Sequence, residues 1–208
     1  EPLWLQAEIE IMAELGCHWD QHDQINCLGG PMERTEKYMQ ERSNYVKPFG
    51  YFEKKLDELM EYKLSNELEL IPNARELLEE CKAGGIKIAL VTASNGRQMR
   101  SVLTRFPEGF FDATVSRDDV QKSKPDPAPY LLAANLLGIK NELCVVFEDS
   151  PTGVESGLRS GAQVIGIPHL IQMVPHVNLR VIDAIADVNL AQLITWYPFL
   201  TSRLNSND

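Results

Sequence analysis

The sequence predicts an α/β protein, a Rossmann-like doubly wound parallel sheet core joined to an α-helical cap. Three observations lead there. Residues 1–66 set their apolar side chains at helical spacing. From residue 67 onward, short apolar runs alternate with helical patterns, the rhythm of βαβ units. The runs "IKIALV" (86–91) and "LCVVF" (143–147) are almost continuously apolar, which suits strands covered on both faces. A boundary is therefore expected between a helical cap, 1–66, and an α/β core, 67–208.

In the cap, Leu3, Leu5, Ile9, Met12 and Leu15 line one helical face, and Gly16 offers a stop. In "HWDQHD" (18–23), His18 and His22 stand four apart and could mimic a metal site. Gly16 and the polar neighbours favour a solvated loop there instead. Helices are expected at 32–42 and at 51–64, the latter burying Phe52, Leu56, Leu59 and Met60. Acidic residues outnumber basic ones in the cap, so its outer face should be solvated and acidic.

In the core, "IPNARELLEECKAGG" opens near Pro72, sets Leu77, Leu78 and Cys81 on one face and stops at Gly84 and Gly85, so it reads as a helix. Strands follow at 86–91, 111–116, 143–147 and 163–167. Helices at 96–106, 128–139 and 152–162 separate them. Beyond Pro168 the pattern assigns no element.

The 208 residues, 44% hydrophobic, can bury a substantial core. A net charge of −10 without clustered Lys and Arg argues against a nucleic-acid partner and points to small molecules. No apolar run approaches the roughly 18 residues of a membrane span, and the first residues do not resemble a signal peptide. The expectation is a cytoplasmic protein without a membrane partner. Oligomeric state is not readable. Cys17, Cys27, Cys81 and Cys144 lack zinc or CxxC spacing and read as reduced thiols.

Open parallel sheets bind ligands at the carboxyl ends of their strands. Thr92, Ala93, Ser94, Asn95 and Gly96 follow the first strand, "RDDVQKSKPDP" with Lys124 follows the second, and Glu148 and Asp149 follow the third. Each group has a plain structural reading: a helix N-cap, a lysine in a turn, acids favouring a helix dipole. Together they suit phosphate chemistry. A hydroxyl and backbone N–H groups at a helix start hold phosphate oxygens, and a lysine neutralises their charge. Paired carboxylates supply oxygen ligands for Mg²⁺. Two adjacent carboxylates at a buried strand end require a compensating cation.

The segments "GIKIALVTASN", "KSKPDPAPYLLAA" and "CVVFEDSPTGVESGLRSGA" resemble motifs II, III and IV of the haloacid dehalogenase superfamily, and "EPLWLQAE" resembles the start of the helical cap in its β-phosphoglucomutase-like branch. The resemblance covers nearly the whole chain. It implies that Thr92 contacts the transferring phosphoryl group, with Ala93, Ser94 and Asn95 beside it, and that Lys124 is the motif III lysine. It also implies that Glu148 and Asp149 hold Mg²⁺, Asp149 directly and Glu148 through water.

Motif I of that family, a strand ending Asp-x-Asp, carries the nucleophile and the general acid/base; no Asp-x-Asp occurs in these 208 residues. The expectation is that it precedes Glu1 in a longer protein, the alternative being an inactive relative. The implied reaction is hydrolysis of a small phosphorylated metabolite, a sugar phosphate foremost, through an aspartyl-phosphate. In the loop "CLGGPMERTEKY", Gly30, Glu33 and Arg34 are candidates for substrate contact, a surface turn being the alternative. The related mutases have a histidine where Trp4 aligns and an arginine where Glu33 aligns, which favours a phosphatase over a phosphomutase. A signalling receiver also combines acids, a hydroxyl and a lysine. It places its acidic pair early, whereas here the pair comes last.

Overall fold

The computed structural model describes residues 2–28, 31–168 and 171–203. The chain forms two compact units. One is Glu1–Leu68 with Ser94–Glu108, and the other is Glu69–Ala93 with Gly109–Asp208.

Four helices lead the first unit: α1 (Pro2–Ala13), α2 (Gln21–Cys27), α3 (Met32–Arg42) and α4 (Tyr51–Asn66). Ala7, Ile11 and Met12 of α1, Met39 of α3, and Phe52, Leu56 and Met60 of α4 form its apolar core. Glu36 of α3 is fully buried, yet its carboxylate is satisfied. It accepts from the backbone N–H groups of Gly50 at 2.9 Å and Glu53 at 2.8 Å, and from Gln40 Nε2 at 2.8 Å. These N–H groups belong to the open first turn of α4, so Glu36 caps that helix from another one.

Helix α2 corrects the loop expected over 18–23. Asp20 accepts from His22 N at 2.8 Å, and Asp23 in turn accepts from Asp20 N at 3.2 Å, a capping box that starts a helix inside a polar stretch. His18 lies before that helix, exposed and 3.2 Å from Asp20, so His18 and His22 do not share a helical face.

The second unit begins with α5 (Ala74–Ala83) and β1 (Ala89–Val91). The next helix, α6 (Gly96–Leu103), belongs to the first unit and packs on α4, where Gln98 Nε2 donates to Asp57 Oδ1 at 3.1 Å. The second unit resumes with β2 (Ala113–Val115), α7 (Ala128–Leu137), β3 (Val145–Glu148), α8 (Pro151–Arg159), β4 (Gln163–Gly166), β5 (Leu179–Val181) and α9 (Leu190–Trp196). Among the described residues every strand pair is parallel. The ladders are β1–β2, with Leu90 opposite Thr114, and β3–β4–β5, with Val146 opposite Val164 and Ile165 opposite Arg180.

Helix α7 packs on β1 and β2, and α8 on β3 and β4. Tyr130, Val146, Val154, Ala162 and Val164 form a buried cluster against which Val91 of β1 also packs, so both ladders share one apolar core. This is the α/β architecture expected, with strands of three or four residues rather than five or six. At β1 the shortening has a visible cause: Ile88 N donates to the Asp112 carboxylate at 2.9 Å rather than to a ladder carbonyl.

Among the described residues no helix is long and apolar enough to cross a membrane. All four cysteines are free, and burial pushes the thiols of Cys27 up to about 12 and of Cys81 up to about 11, which keeps both protonated and unreactive at neutral pH.

Candidate active site

Lys124 links the carboxyl ends of β1 and β3. Its Nζ donates to the carbonyl oxygen of Val91, the last residue of β1, at 3.2 Å, and to Oε1 of Glu148, the last residue of β3. The pair is nearly dry, with the Lys124 side chain 10% exposed and that of Glu148 7%. Such a pair persists only where its remaining hydrogen-bonding capacity is met. Tyr130 Oη of α7 donates to the same Glu148 Oε1, and the Lys124 ammonium lies 5.0 Å from the centre of the Tyr130 ring. Burial, reinforced by the charge of Glu148, holds the Tyr130 phenol well above its ordinary value, so it stays an O–H donor.

Helix α8 holds the Lys124 loop. Ser156 Oγ, fully buried, donates to Asp126 O at 2.6 Å, and Arg159 Nη1 donates to Pro125 O at 3.2 Å. The peptide bond between Lys124 and Pro125 is cis. Ser150 caps α8 by accepting from Gly153 N at 3.1 Å. The Glu148 carboxylate rests against that first turn, where the helix dipole favours negative charge.

The other residues singled out by sequence are placed as follows. Thr92 is half-buried directly after β1, its N–H donating to Val115 O at 2.9 Å, and Ala93 after it is exposed. Ser94 and Asn95 open the second stretch of the helical unit. Asn95 is buried and spends its side-chain oxygen capping α6, accepting from Gln98 N at 3.0 Å. Glu33 and Arg34 are exposed in the first turn of α3, and Arg34 Nη2 donates to Leu28 O at 2.8 Å. Gly29 and Gly30 lie outside the described residues.

The two carboxylates face different surroundings. Glu148 is engaged by Lys124 and Tyr130, whereas Asp149 is exposed. The cation that offsets Glu148 is thus the protein's own lysine. Among the described residues no three or more His, Cys, Asp or Glu side chains gather into a metal cage. An exposed aspartate beside a strand end still fits Mg²⁺, which needs only one or two carboxylates and keeps waters and substrate oxygens as its other ligands. Sequence reading missed Tyr130, Gly153 and Ser156. The available signal was a tyrosine on the apolar face of "PAPYLLAA", since a buried phenol requires a partner.

The description "Haloacid dehalogenase-like hydrolase" matches residues 1–167. The chain belongs to that family. Among its relatives is the phosphorylated carbohydrates phosphatase of Thermotoga maritima, 32% identical over 171 residues, which are 81% of this chain and 79% of the relative. Hexitol phosphatase B of Escherichia coli is 28% identical over 202 residues, 93% of this chain and 86% of the relative. The crystal structure of β-phosphoglucomutase from Clostridium difficile shares the fold, with a TM-score of 0.76 at 20% identity over 97% of this chain and 92% of that one. The haloacid dehalogenase-like assignment thus covers the N-terminal helices, the Lys124 loop and the strand end that carries Glu148.

Proposed function

We propose that the chain is a magnesium-dependent phosphatase that hydrolyses small phosphorylated metabolites, sugar phosphates foremost, through an aspartyl-phosphate. The chain is a phosphoric monoester hydrolase in this reading. The observation that carries it is the Lys124 ammonium, fixed on the last carbonyl of β1 and the last carboxylate of β3. A cation held at parallel strand ends stands where such sheets bind ligands, and phosphoryl transfer needs positive charge there. Family membership and relatives named phosphorylated carbohydrates phosphatase and hexitol phosphatase B support the substrate class.

Each residue has a proposed task. Thr92 donates its hydroxyl, and Ala93 and Ser94 their backbone N–H groups, to phosphoryl oxygens. Lys124 offsets charge on the transferring group. Asp149 would ligate Mg²⁺ directly and Glu148 through water, and the ion when bound supplies Lewis-acid polarisation of a phosphoryl oxygen. Gly30, Glu33 and Arg34 carry the proposed recognition of the leaving group. In the covalent course, an aspartate oxygen forms a bond to phosphorus as the ester oxygen leaves and takes a proton. Water then cleaves the acyl phosphate to release inorganic phosphate. The Asp-x-Asp pattern proposed to carry that aspartate does not occur in the 208 residues, so the test uses the complete reading frame.

The experiment is a Mg²⁺-supplemented screen over sugar phosphates, nucleotides and phosphonates. Release of inorganic phosphate from small sugar phosphates is the expected result. Conversion between two phosphate isomers without phosphate release would make the protein a phosphomutase, and no turnover of any ester would point to an inactive relative.

A further inference from the structure

We propose that Tyr130 is a positioning residue of this site, acting through Glu148 to hold the Lys124 ammonium at the strand ends. The proposal rests on the phosphatase reading above. Glu148 Oε1 receives two donors, Lys124 Nζ and Tyr130 Oη, while Oε2 faces the first turn of α8, with Ser150 Oγ at 3.5 Å. A carboxylate anchored by its ammonium alone can swing about its side-chain torsions. A second donor from a rigid helix removes that freedom.

Tyr130 is suited to the task. It stands on α7 among Pro129, Ala133 and Ala134, which are buried, and is itself only 8% exposed. Packing in that apolar cluster needs the ring alone, and a phenylalanine would supply it. Burying the hydroxyl is unfavourable unless it is hydrogen-bonded, and here the bond goes to the carboxylate that pairs with Lys124. The ring also lies beneath the ammonium, 5.0 Å from Nζ, so one side chain steadies both members of the pair.

The test compares wild type, Tyr130→Phe, Glu148→Ala and the double variant, in the complete reading frame. It reads kcat and KM on one sugar phosphate and, separately, urea unfolding without Mg²⁺. Tyr130→Phe keeps the ring and should lower kcat about ten-fold, the scale of losing an outer-shell partner, with KM nearly unchanged. In the Glu148→Ala background it should lower kcat no further. Unfolding should show Tyr130 and Glu148 coupled, on the order of a few-fold in the equilibrium constant.

Wild-type kcat in Tyr130→Phe overturns the proposal, as does a full ten-fold loss in the Glu148→Ala background. If Glu148→Ala does not fold, the kcat of Tyr130→Phe decides alone. A wild type that turns over no phosphate ester defeats the phosphatase reading and the catalytic part of this proposal together. The unfolding cycle then still decides whether Tyr130 acts on Glu148, and additive effects would overturn that as well.

Discussion

A methyl group built on Gly153 would lie 1.9 Å from Glu148 Oε2. Glycine at this helical position reflects close approach rather than backbone conformation, since α8 starts directly against the strand-end carboxylate. Gly153→Ala gains about 1 kcal/mol of helix propensity but must push the carboxylate off Lys124 and Tyr130, an overpacking that costs about 1–3 kcal/mol. We expect a small net loss of stability with a disproportionate fall in turnover, about ten-fold. Thermal unfolding and steady-state kinetics on the same preparation check this, and unchanged kcat would show that Glu148 can move freely.

Lys124→Ala leaves Glu148 buried without its ion-pair partner. Breaking a buried pair in this way costs about 3–5 kcal/mol, and phosphate release should fall about 100-fold or more. Adding Glu148→Gln removes the stranded charge, so the double variant should regain much of the stability and none of the turnover. Denaturant titration of both variants separates the two effects. Wild-type turnover in Lys124→Ala would reduce the lysine to a turn residue.

Asp119 gives a pH-dependent contribution that can be read separately. Its carboxylate accepts from Ser116 Oγ at 2.6 Å and Ser116 N at 2.7 Å, and these bonds, the hydroxyl's first, hold its pKa below the ordinary 3.8. The stabilisation is present above 3.8 and is lost as pH falls through the depressed folded value. Asp119→Asn should therefore flatten the acid limb of the stability curve below about pH 4. Urea midpoints measured from pH 2.5 to 6 test it, and parallel acid limbs would refute it.

Glu36 offers a control in the helical unit. Replacing it with alanine strands the Gly50 and Glu53 N–H groups and opens a void in a fully buried site. Lost bonds to a charged group cost about 1.5–3 kcal/mol. Glu36→Ala should lower the unfolding free energy by that order in a urea titration, and an unchanged free energy would show that the cap contributes nothing.

The legible parts of this molecule are those whose own side chains dictate the element. The faces of α1, α4 and α5, the apolar runs around β1 and β3, and the polar strand ends with Lys124 and Glu148 all stand in the sequence. Helix α2 was hidden because its start is a side-chain capping box within a polar stretch. β5 was hidden for another reason: Arg180 and Val181 are exposed, and its place is set by backbone pairing with β4. The packing of α6 on α4 and the convergence of Tyr130 and Gly153 on Glu148 depend on which helix faces meet, which periodicity along one segment does not encode.

The measurement that tests the central claim most directly is a Mg²⁺ titration of phosphate release from a sugar phosphate, comparing wild type with Asp149→Asn in the complete reading frame. Asp149 is exposed, so the substitution should leave stability unchanged. Loss of a proposed direct oxygen ligand should weaken Mg²⁺ activation by on the order of 100-fold or more. Wild-type Mg²⁺ activation in Asp149→Asn, or phosphate release that needs no Mg²⁺ in the wild type, would contradict the account.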